Sequence, residues 1–241
     1  MASPMQLLAS MWVRQLFDQE TGTYTYVVAD RAHGVAAIID PVREQVERDL
    51  KLLAELNLRL VAVLDTHVHA DHVTGAGILR DRTGARTYAS VKGAPCVDVA
   101  LRDGDTVEVG GVVITARETP GHTDDSLSFV APGAVFTGDA LLIRGCGRTD
   151  FQNGNALELY QSITTKLFAL PDDTAVYPGH DYRGQTVSTI GEERQCNPRL
   201  AGKSQAEFVA IMGALDLPPP KHLHEAVPMN RVCGQPQGVQ S

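Results

Sequence analysis

Clustered positive charge, long apolar runs and cysteines in C-x-x-C spacing are all missing from this sequence of 241 residues. The 21 Lys and Arg are outnumbered by 29 Asp and Glu, which gives a formal net charge of −8, and no block of basic residues appears. Nucleic-acid binding depends largely on clustered cations that displace counterions. The charge balance therefore predicts that the protein has no nucleic-acid partner.

The apolar runs are too short to cross a membrane. The longest of them, such as Leu58–Leu64, are far below the roughly 20 residues that a bilayer requires. The first thirteen residues, MASPMQLLASMWV, contain no Lys or Arg and no convincing signal-peptide pattern. We therefore expect no membrane partner and a cytoplasmic protein, with the mature form of a mitochondrial matrix protein as the alternative.

The cysteines are scattered at Cys96, Cys146, Cys196 and Cys233, and they form no C-x-x-C pair. This spacing fits neither a zinc ribbon nor a disulfide scaffold. The simplest prediction is a protein of a reducing compartment that has no disulfide framework.

Hydrophobic periodicity predicts a mixed α/β protein. Hydrophobic residues make up 43% of the chain, which is enough for a substantial core. Two short strands are predicted at Thr23–Asp30 and Gly34–Asp40. Asp40 and Pro41 are then expected to begin a helix, and a buried strand follows at Leu58–Asp65.

The rest of the chain continues the alternation of strands and helices. Short strand-like runs are RTYAS, TVEV, VVITARE, LSFVA, AVFTGD and AVYPGH. Asn155 and Ser204, each followed three residues later by Glu, are typical helix caps. This order predicts an α/β fold with two sheets that each have a helix-covered face. We expect one domain over residues 1–241, with a short helical and Pro-rich extension from about residue 186 and an irregular tail from Leu217.

Five of the eight histidines fall in three short motifs, THVHADH and two copies of PGH, and each motif follows a strand-like run. Histidine and carboxylate are suitable ligands for borderline metals, and side chains at strand ends converge on one edge of a sheet protein. Seven candidate side chains share this placement: His67, His69, Asp71, His72, His122, Asp139 and His180. Their pattern predicts a metal site.

Isolated residues of the same types have simpler interpretations. A lone histidine is usually solvated or hydrogen-bonded, and this is what we expect for His33, His222 and His224. Asp139 in the sequence TGD would alone indicate a turn. Because it accompanies the histidine motifs, we interpret it as a ligand.

The histidine pattern resembles that of the metallo-β-lactamase superfamily, whose H-x-H-x-D-H motif matches His67–His72, with His122, Asp139 and His180 in the expected chain order. That resemblance implies an αββα sandwich of two mixed sheets with helices on the outer faces. Four longer blocks look like those of the glutathione persulfide dioxygenase family: Thr137–Gly154, Tyr177–Gly184, Glu192–Leu200 and Ala226–Gly234. This narrower resemblance implies oxidation of glutathione persulfide with O2 and water to sulfite and glutathione.

The resemblance to the dioxygenases also implies one Fe(II) per chain, held by His67, His122 and Asp139. Two imidazoles and one carboxylate on one face of a ferrous ion leave open positions for oxygen chemistry. The remaining candidates are then expected to orient the ligands and to handle protons without binding iron directly: His69, Asp71, His72 and His180. The resemblance implies a homodimer as well.

Arg148 and Tyr182 are the candidate substrate-binding residues. Arg148 lies in the turn GCGR, where a fixed guanidinium can hold a carboxylate of glutathione by paired hydrogen bonds. Tyr182 matches a glutathione-contacting tyrosine of the related thioesterases, and Arg183 and Arg199 are weaker candidates. No base is identifiable for Cys146, which we expect to be a buried thiol without a catalytic role.

Two other functions remain open. The sequence contains every ligand that a two-metal hydrolase of the superfamily needs, so the alternative is a glyoxalase II-like dinuclear hydrolase of S-acylglutathione thioesters. Glyoxalase II enzymes carry a larger C-terminal helical domain, for which the stretch after His180 leaves less room. A sulfur-carrier or regulatory module with a purely structural metal is a third possibility, and the complete ligand set argues against it.

Overall fold

The computed structural model of the protein describes residues 11–220 and 222–235. The prediction about a leader falls largely on residues 1–10, which lie outside the described residues. Among the described residues, every helix is too short or too polar to reach across a bilayer.

The first half of the chain forms a six-stranded sheet. In both chain and spatial order its strands are β1 (Met11–Asp18), β2 (Thr23–Asp30), β3 (Val35–Ile39), β4 (Arg59–Leu64), β5 (Arg86–Ser90) and β6 (Val99–Leu101). Strands β1 to β3 pair antiparallel, and β3 to β6 pair parallel. The sequence did not predict β1, because this half-exposed edge strand carries Arg14 and Gln15 in the middle of its apolar residues.

The second half forms another six-stranded sheet. Its strands are β7 (Thr106–Val109), β8 (Val112–Glu118), β9 (Leu127–Ala131), β10 (Ala134–Gly138), β11 (Ala175–Pro178) and β12 (Ser188–Thr189). Their spatial order runs from β12 to β7, with β10 and β11 parallel and all other pairs antiparallel. Both sheets are therefore mixed, in agreement with the sequence-based expectation.

Helices connect the strands and cover the outer faces of the sheets. They are α1 (Val46–Glu55), α2 (Ala76–Thr83), α3 (Ala156–Gln161), α4 (Ile190–Cys196), α5 (Gln205–Gly213) and α6 (Leu223–Asn230). A 3-10 turn, Arg43–Gln45, precedes α1, and a π-helical stretch, Ser162–Leu167, continues α3. The predicted caps are present, since the Asn155 side chain accepts hydrogen bonds at the start of α3 and Ser204 forms a capping box at the start of α5.

Three apolar layers hold the elements together. Tyr26, Phe129 and Phe136 belong to the layer between the two sheets. A second layer packs α1 and α2 against the outer face of the first sheet, and a third packs α3 and α5 against the second sheet. The architecture is an αββα sandwich, as the resemblance implied.

Three sequence-based expectations are wrong. Asp40 does not cap a helix, because its φ of 50° and its buried side chain direct the carboxylate toward Thr66 instead. The tail from Leu217 is not irregular throughout, since it contains α6, which docks against the rest of the molecule. Cys96 and Cys233 form a disulfide, which the spacing did not indicate because 137 residues separate them.

Candidate metal centre

The predicted ligands meet at one end of the two sheets. Strands β4, β8, β10 and β11 end there, and they are followed by His67, His122, Asp139 and His180 in that order. Ligand atoms of His67, His122 and Asp139 all lie within 4.8 Å of one another. The distance between Nε2 of His122 and Oδ2 of Asp139 is 3.6 Å. The fold therefore brings together the three residues that the resemblance to the dioxygenases implied as metal ligands.

Hydrogen bonds fix the tautomers of the two histidines. Nδ1 of His122 donates to the backbone carbonyl of Arg148 at 2.7 Å, which leaves Nε2 free. The Thr66 hydroxyl donates to Asp40 at 2.9 Å, so it accepts from Nδ1 of His67 at 3.0 Å. In their neutral form, both imidazoles therefore carry the lone pair on Nε2.

The Asp139 carboxylate supports a cation at this position. Its Oδ1 is buried and has no hydrogen-bond partner among the described residues, although a buried acceptor is normally paired. A Cβ on Gly147 would lie 2.4 Å from the Asp139 carbonyl and 2.7 Å from Nδ1 of His122, so only glycine fits beside the ligands. Two imidazole nitrogens and one carboxylate oxygen are a suitable donor set for a divalent transition metal.

A second group of ligand atoms lies next to the first. His69, Asp71 and His72 also offer atoms within 4.8 Å of one another. Oδ2 of Asp71 lies 2.8 Å from Nδ1 of His72 and accepts a hydrogen bond from the Thr23 hydroxyl at 3.0 Å. Nε2 of His180 lies 3.5 Å from that same oxygen. All seven candidate side chains therefore belong to one site.

Burial and neighbouring charges set the protonation of this site. Burial, followed by the neighbouring His69 and His122, holds the pKa of His67 well below its usual value, so the ring is neutral and can bind a metal. Burial alone would raise the pKa of Asp71, but His72 and His180 outweigh it and the pKa lies well below its usual value. Burial alone would lower the pKa of His180, but the carboxylates of Asp139 and Asp71 outweigh it, and the pKa lies above its usual value.

The metal loop, residues 65–75 between β4 and α2, has no helix or strand of its own and is held by side chains from elsewhere. Asp125 accepts a hydrogen bond from the backbone N–H of Val68 at 2.9 Å, and Gln152 donates a hydrogen bond to the backbone carbonyl of Val68 at 2.6 Å. Asn230 binds the loop from α6. Sequence reasoning missed these residues as site residues, although Asn230 lies in the block AVPMNRVCG.

A cavity of about 1220 Å³ opens from the centre and reaches His122, Asp139 and His180. The predicted substrate-binding residues Arg148 and Tyr182 lie on its walls. The Tyr182 ring is 76% exposed and stacks on the His180 ring with centroids 5.9 Å apart. The cavity is large enough for a tripeptide and places it beside the candidate ligands.

The guanidinium of Arg148 is largely occupied within the protein. Its Nε and Nη2 each donate to Asp150 at 2.7 Å, and its Nη1 donates to the carbonyl of Pro218 at 2.6 Å. Arg183 and Arg199 line the same cavity, and neither has a carboxylate partner within the ranges that the structure describes. Cys146 is buried, and burial raises the pKa of its thiol, which agrees with the expected inert cysteine.

Comparison with known proteins identifies the class that this fold and site define. A family model of the metallo-beta-lactamase superfamily matches residues 19–95 and 97–180, so the chain belongs to that superfamily. Within it, the chain belongs to the persulfide dioxygenase family. It is 48% identical to the Homo sapiens protein "Persulfide dioxygenase ETHE1, mitochondrial", over 94% of this chain and 90% of the human one.

Two further comparisons place the chain within the superfamily. The crystal structure of ETHE1 from Myxococcus xanthus superposes with a TM-score of 0.92 and 59% identity, and covers 93% of this chain and 100% of that chain. A hydroxyacylglutathione hydrolase from Cereibacter sphaeroides is 41% identical over 66% of this chain and 62% of the hydrolase. The resemblance to the dioxygenases is confirmed, and the similarity to the hydrolase covers less of both proteins.

Proposed function

We propose that this protein is an iron-dependent persulfide dioxygenase that converts glutathione persulfide, O2 and water to glutathione, sulfite and two protons. The observation that carries the proposal is the group His67, His122 and Asp139, of which His122 and Asp139 line a tripeptide-sized cavity. The family membership supports the same reaction.

The proposed cofactor is one Fe(II) per chain, held by Nε2 of His67, Nε2 of His122 and a carboxylate oxygen of Asp139. Bound there, ferrous iron would supply electrons and open coordination positions for the oxygen chemistry. The backbone carbonyl of Arg148 and the hydroxyl of Thr66 hold the two imidazoles in the tautomer that such binding needs.

The neighbouring residues are proposed to orient the ligands and to hold protons. His180 keeps a proton at Nε2, 3.6 Å from Oδ1 of Asp139 and 3.5 Å from Oδ2 of Asp71. His72 donates from Nδ1 to Asp71, which holds that carboxylate in place. The sulfur end of the substrate would therefore meet positioned proton donors at the inner end of the cavity.

The glutathione portion is proposed to lie along the cavity walls formed by Arg148 and Tyr182. Arg148 is fixed by Asp150 and by the carbonyls of Leu217 and Pro218, so the second N–H of its Nη1 is the donor that we assign to a substrate carboxylate. Arg183 and Arg199 supply further positive charge along the same walls. An anionic tripeptide is the class of ligand that this arrangement favours.

Oxygen consumption by the iron-loaded protein tests the proposed reaction. We expect oxygen uptake with glutathione persulfide and little hydrolysis of an S-acylglutathione thioester by the same preparation. His122→Ala and Asp139→Ala should lose iron and oxygen uptake together, because each removes one of three protein ligands. Full iron occupancy in both variants, or thioester hydrolysis without oxygen uptake, would contradict the proposal.

Metal stoichiometry separates the dioxygenase from the dinuclear S-acylglutathione hydrolase. The second ligand group, with His69, Asp71 and His72, is the observation that favours the hydrolase as the second candidate. We expect one iron per chain after anaerobic purification, lost in His67→Ala and largely retained in His69→Ala. Two tightly bound metals per chain, one of which is lost in the His69 variant, would support the hydrolase instead.

Two proposals concern the protein in the cell. We expect a homodimer, which analytical ultracentrifugation tests directly. A cytoplasmic location stays a prediction, with the mitochondrial matrix as the alternative, and cell fractionation distinguishes the two.

A further inference from the structure

The segment Leu223–Gln235, which includes α6, docks directly on the metal loop. Asn230 at the end of α6 is 3% exposed, and its amide makes three hydrogen bonds to the loop. Its Oδ1 accepts from the backbone N–H of Thr74 at 2.7 Å. Its Nδ2 donates to the carbonyl oxygens of His69 and His72, at 2.9 Å and 2.8 Å. One side chain thus binds the loop at three places.

These hydrogen bonds use the properties of an amide. A carboxamide offers two N–H donors and an acceptor in one plane, and an aspartate of the same shape offers no donor. The metal loop lacks a regular hydrogen-bonding ladder, so its buried carbonyls depend on donors from other parts of the chain. The two bound carbonyls belong to His69 and His72, whose ring centroids lie 4.2 Å apart, and the His69 ring centroid lies 4.1 Å from that of the proposed ligand His67.

Further contacts fasten this segment to the loop and to the following helix. The backbone N–H of Gly77 in α2 donates to the Cys233 carbonyl at 3.0 Å. A Cβ on Gly234 would lie 2.0 Å from the carbonyl oxygen of Thr74, so the two backbones are in direct contact. The disulfide between Cys96 and Cys233 then joins the segment to the connection between β5 and β6.

We propose that Asn230 is a positioning residue for the metal centre and that the Cys96–Cys233 disulfide keeps it in place. A dithiol reductant reaches the bond at Cys96, which is partly exposed, whereas Cys233 is buried. The reductant gives two electrons and two protons, the S–S bond breaks, two cysteine thiols form, and the dithiol becomes a disulfide. α6 then detaches more readily, and the metal loop loses its three hydrogen bonds to Asn230.

The inference rests on the proposed metal centre but not on the proposed reaction. Its readout is therefore metal affinity, measured by competition with a chelator, together with the visible absorption spectrum of the Co(II)-loaded protein. Both are recorded well below the unfolding temperature of each variant, so that loss of folded protein does not contribute. A residue that only stabilised the fold would lower that temperature and leave the affinity and the spectrum of the folded protein unchanged.

Substitution of Asn230 tests the hydrogen bonds. Asn230→Asp keeps the shape of the side chain and removes both N–H donors, so we expect the affinity for Co(II) to fall severalfold, less than the roughly tenfold to hundredfold loss typical of residues bonded directly to a ligand, and the cobalt spectrum to shift. The matched control is His224→Gln, because His224 is exposed on the same helix and should leave both readouts unchanged. Parent-like affinity and spectrum in a folded Asn230→Asp protein would refute the positioning role.

Reduction of the Cys96–Cys233 disulfide in the unmodified protein tests whether this bond supports metal binding, without any substitution in the metal loop or at Asn230. After anaerobic treatment with dithiothreitol and removal of the reductant, we expect the metal to dissociate several times faster than from the oxidised protein. Cys96→Ser should behave like the reduced protein, and Cys196→Ser, which removes an exposed free thiol, should behave like the parent. Identical metal release from the oxidised, reduced and Cys96→Ser proteins would refute the role of the disulfide.

The proposed reaction and the positioning role of Asn230 are refuted by different results. If the parent shows no oxygen uptake but its metal affinity depends on Asn230 and the disulfide, only the proposed reaction is refuted. If oxygen uptake is normal and metal affinity is insensitive to all of these changes, only the positioning role is refuted.

Discussion

Replacement of Glu193 tests how the wall of the cavity is held in place. This side chain on α4 is fully buried, at 0% exposure. It accepts hydrogen bonds from the backbone N–H of Arg144 at 2.9 Å, the Ser188 hydroxyl at 2.7 Å and the Asn197 amide at 2.9 Å, and it pairs with the Arg144 guanidinium. Arg144 has a φ of 57°, a left-handed backbone conformation that a residue other than glycine rarely adopts without such support.

The structure sets the size of the expected effect. Glu193→Ala removes one partner of a buried ion pair and leaves donors of Arg144 and Asn197 without an acceptor, a change that typically costs about 3–5 kcal/mol. Because Arg144 also contacts Glu192 on the surface, its charge stays paired, and we expect the lower end of that range. Glu193→Gln keeps the shape and one acceptor, so its expected cost is about 1–2 kcal/mol.

The Glu193 substitutions should weaken metal binding as well as lower the free energy of unfolding. Arg144 lies in the same loop as Arg148, whose carbonyl oxygen accepts the hydrogen bond from Nδ1 of His122. If this loop moves, the imidazole of His122 loses its fixed orientation. We therefore expect the Glu193 variants to lose metal affinity as well as free energy of unfolding.

Urea unfolding, combined with measurement of metal content, checks this prediction. The control is Glu192→Gln, because Glu192 contacts the same arginine but its side chain is 45% exposed. An exposed pair contributes only about 0–1 kcal/mol. Equal losses of unfolding free energy in Glu192→Gln and Glu193→Gln would show that the buried contacts do not hold the loop, and would refute the reasoning.

Three further predictions address other parts of the molecule. Burial raises the pKa of Asp49 to about 6, so the contribution of Asp49 to the free energy of unfolding should fall by about 3 kcal/mol as the pH rises from about 4 through 6, and the difference between the parent and Asp49→Asn in urea titrations at each pH should show that loss. Gly147→Ala would place a Cβ against His122 and the Asp139 carbonyl, so elemental analysis should find much less metal. Arg148→Ala should weaken substrate binding by about 1.5–3 kcal/mol, measured as KM, and leave the metal bound.

The strands that position the site could be predicted because their signals are local. The nearly continuous apolar run in β4 and the alternation in β8 mark the strands, and a histidine motif follows each of them. The convergence of strand ends then brings His67 and His122 together without knowledge of the loops. Ligand chemistry reduces the number of candidate residues at the strand ends, since few side chain types bind transition metals.

Contacts between distant parts of the chain could not be predicted in the same way. Asp40 and Pro41 form a typical helix start, but tertiary contacts direct the Asp40 carboxylate to Thr66 and His69. The Cys96 and Cys233 sulfurs are separated by 137 residues of sequence and meet only through the tertiary fold. The sequence predicts Arg148 as a substrate-binding residue, whereas its contact with the Pro218 carbonyl depends on where the C-terminal chain passes.

Metal affinity depends on the whole fold, because the contacts that support the metal loop come from distant parts of the sequence. The metal loop is held by Asn230 across 156 residues of sequence, and by Gln152 across 84. A ligand set that forms only in the folded chain binds metal only there, so metal binding must in turn stabilise the fold, by about 4 kcal/mol when the free metal is at a thousand times its Kd. A variant that loosens Asn230 or Gln152 therefore lowers stability in two ways, through the lost contact itself and through the weaker metal. Comparing its unfolding free energy with and without a chelator separates the two.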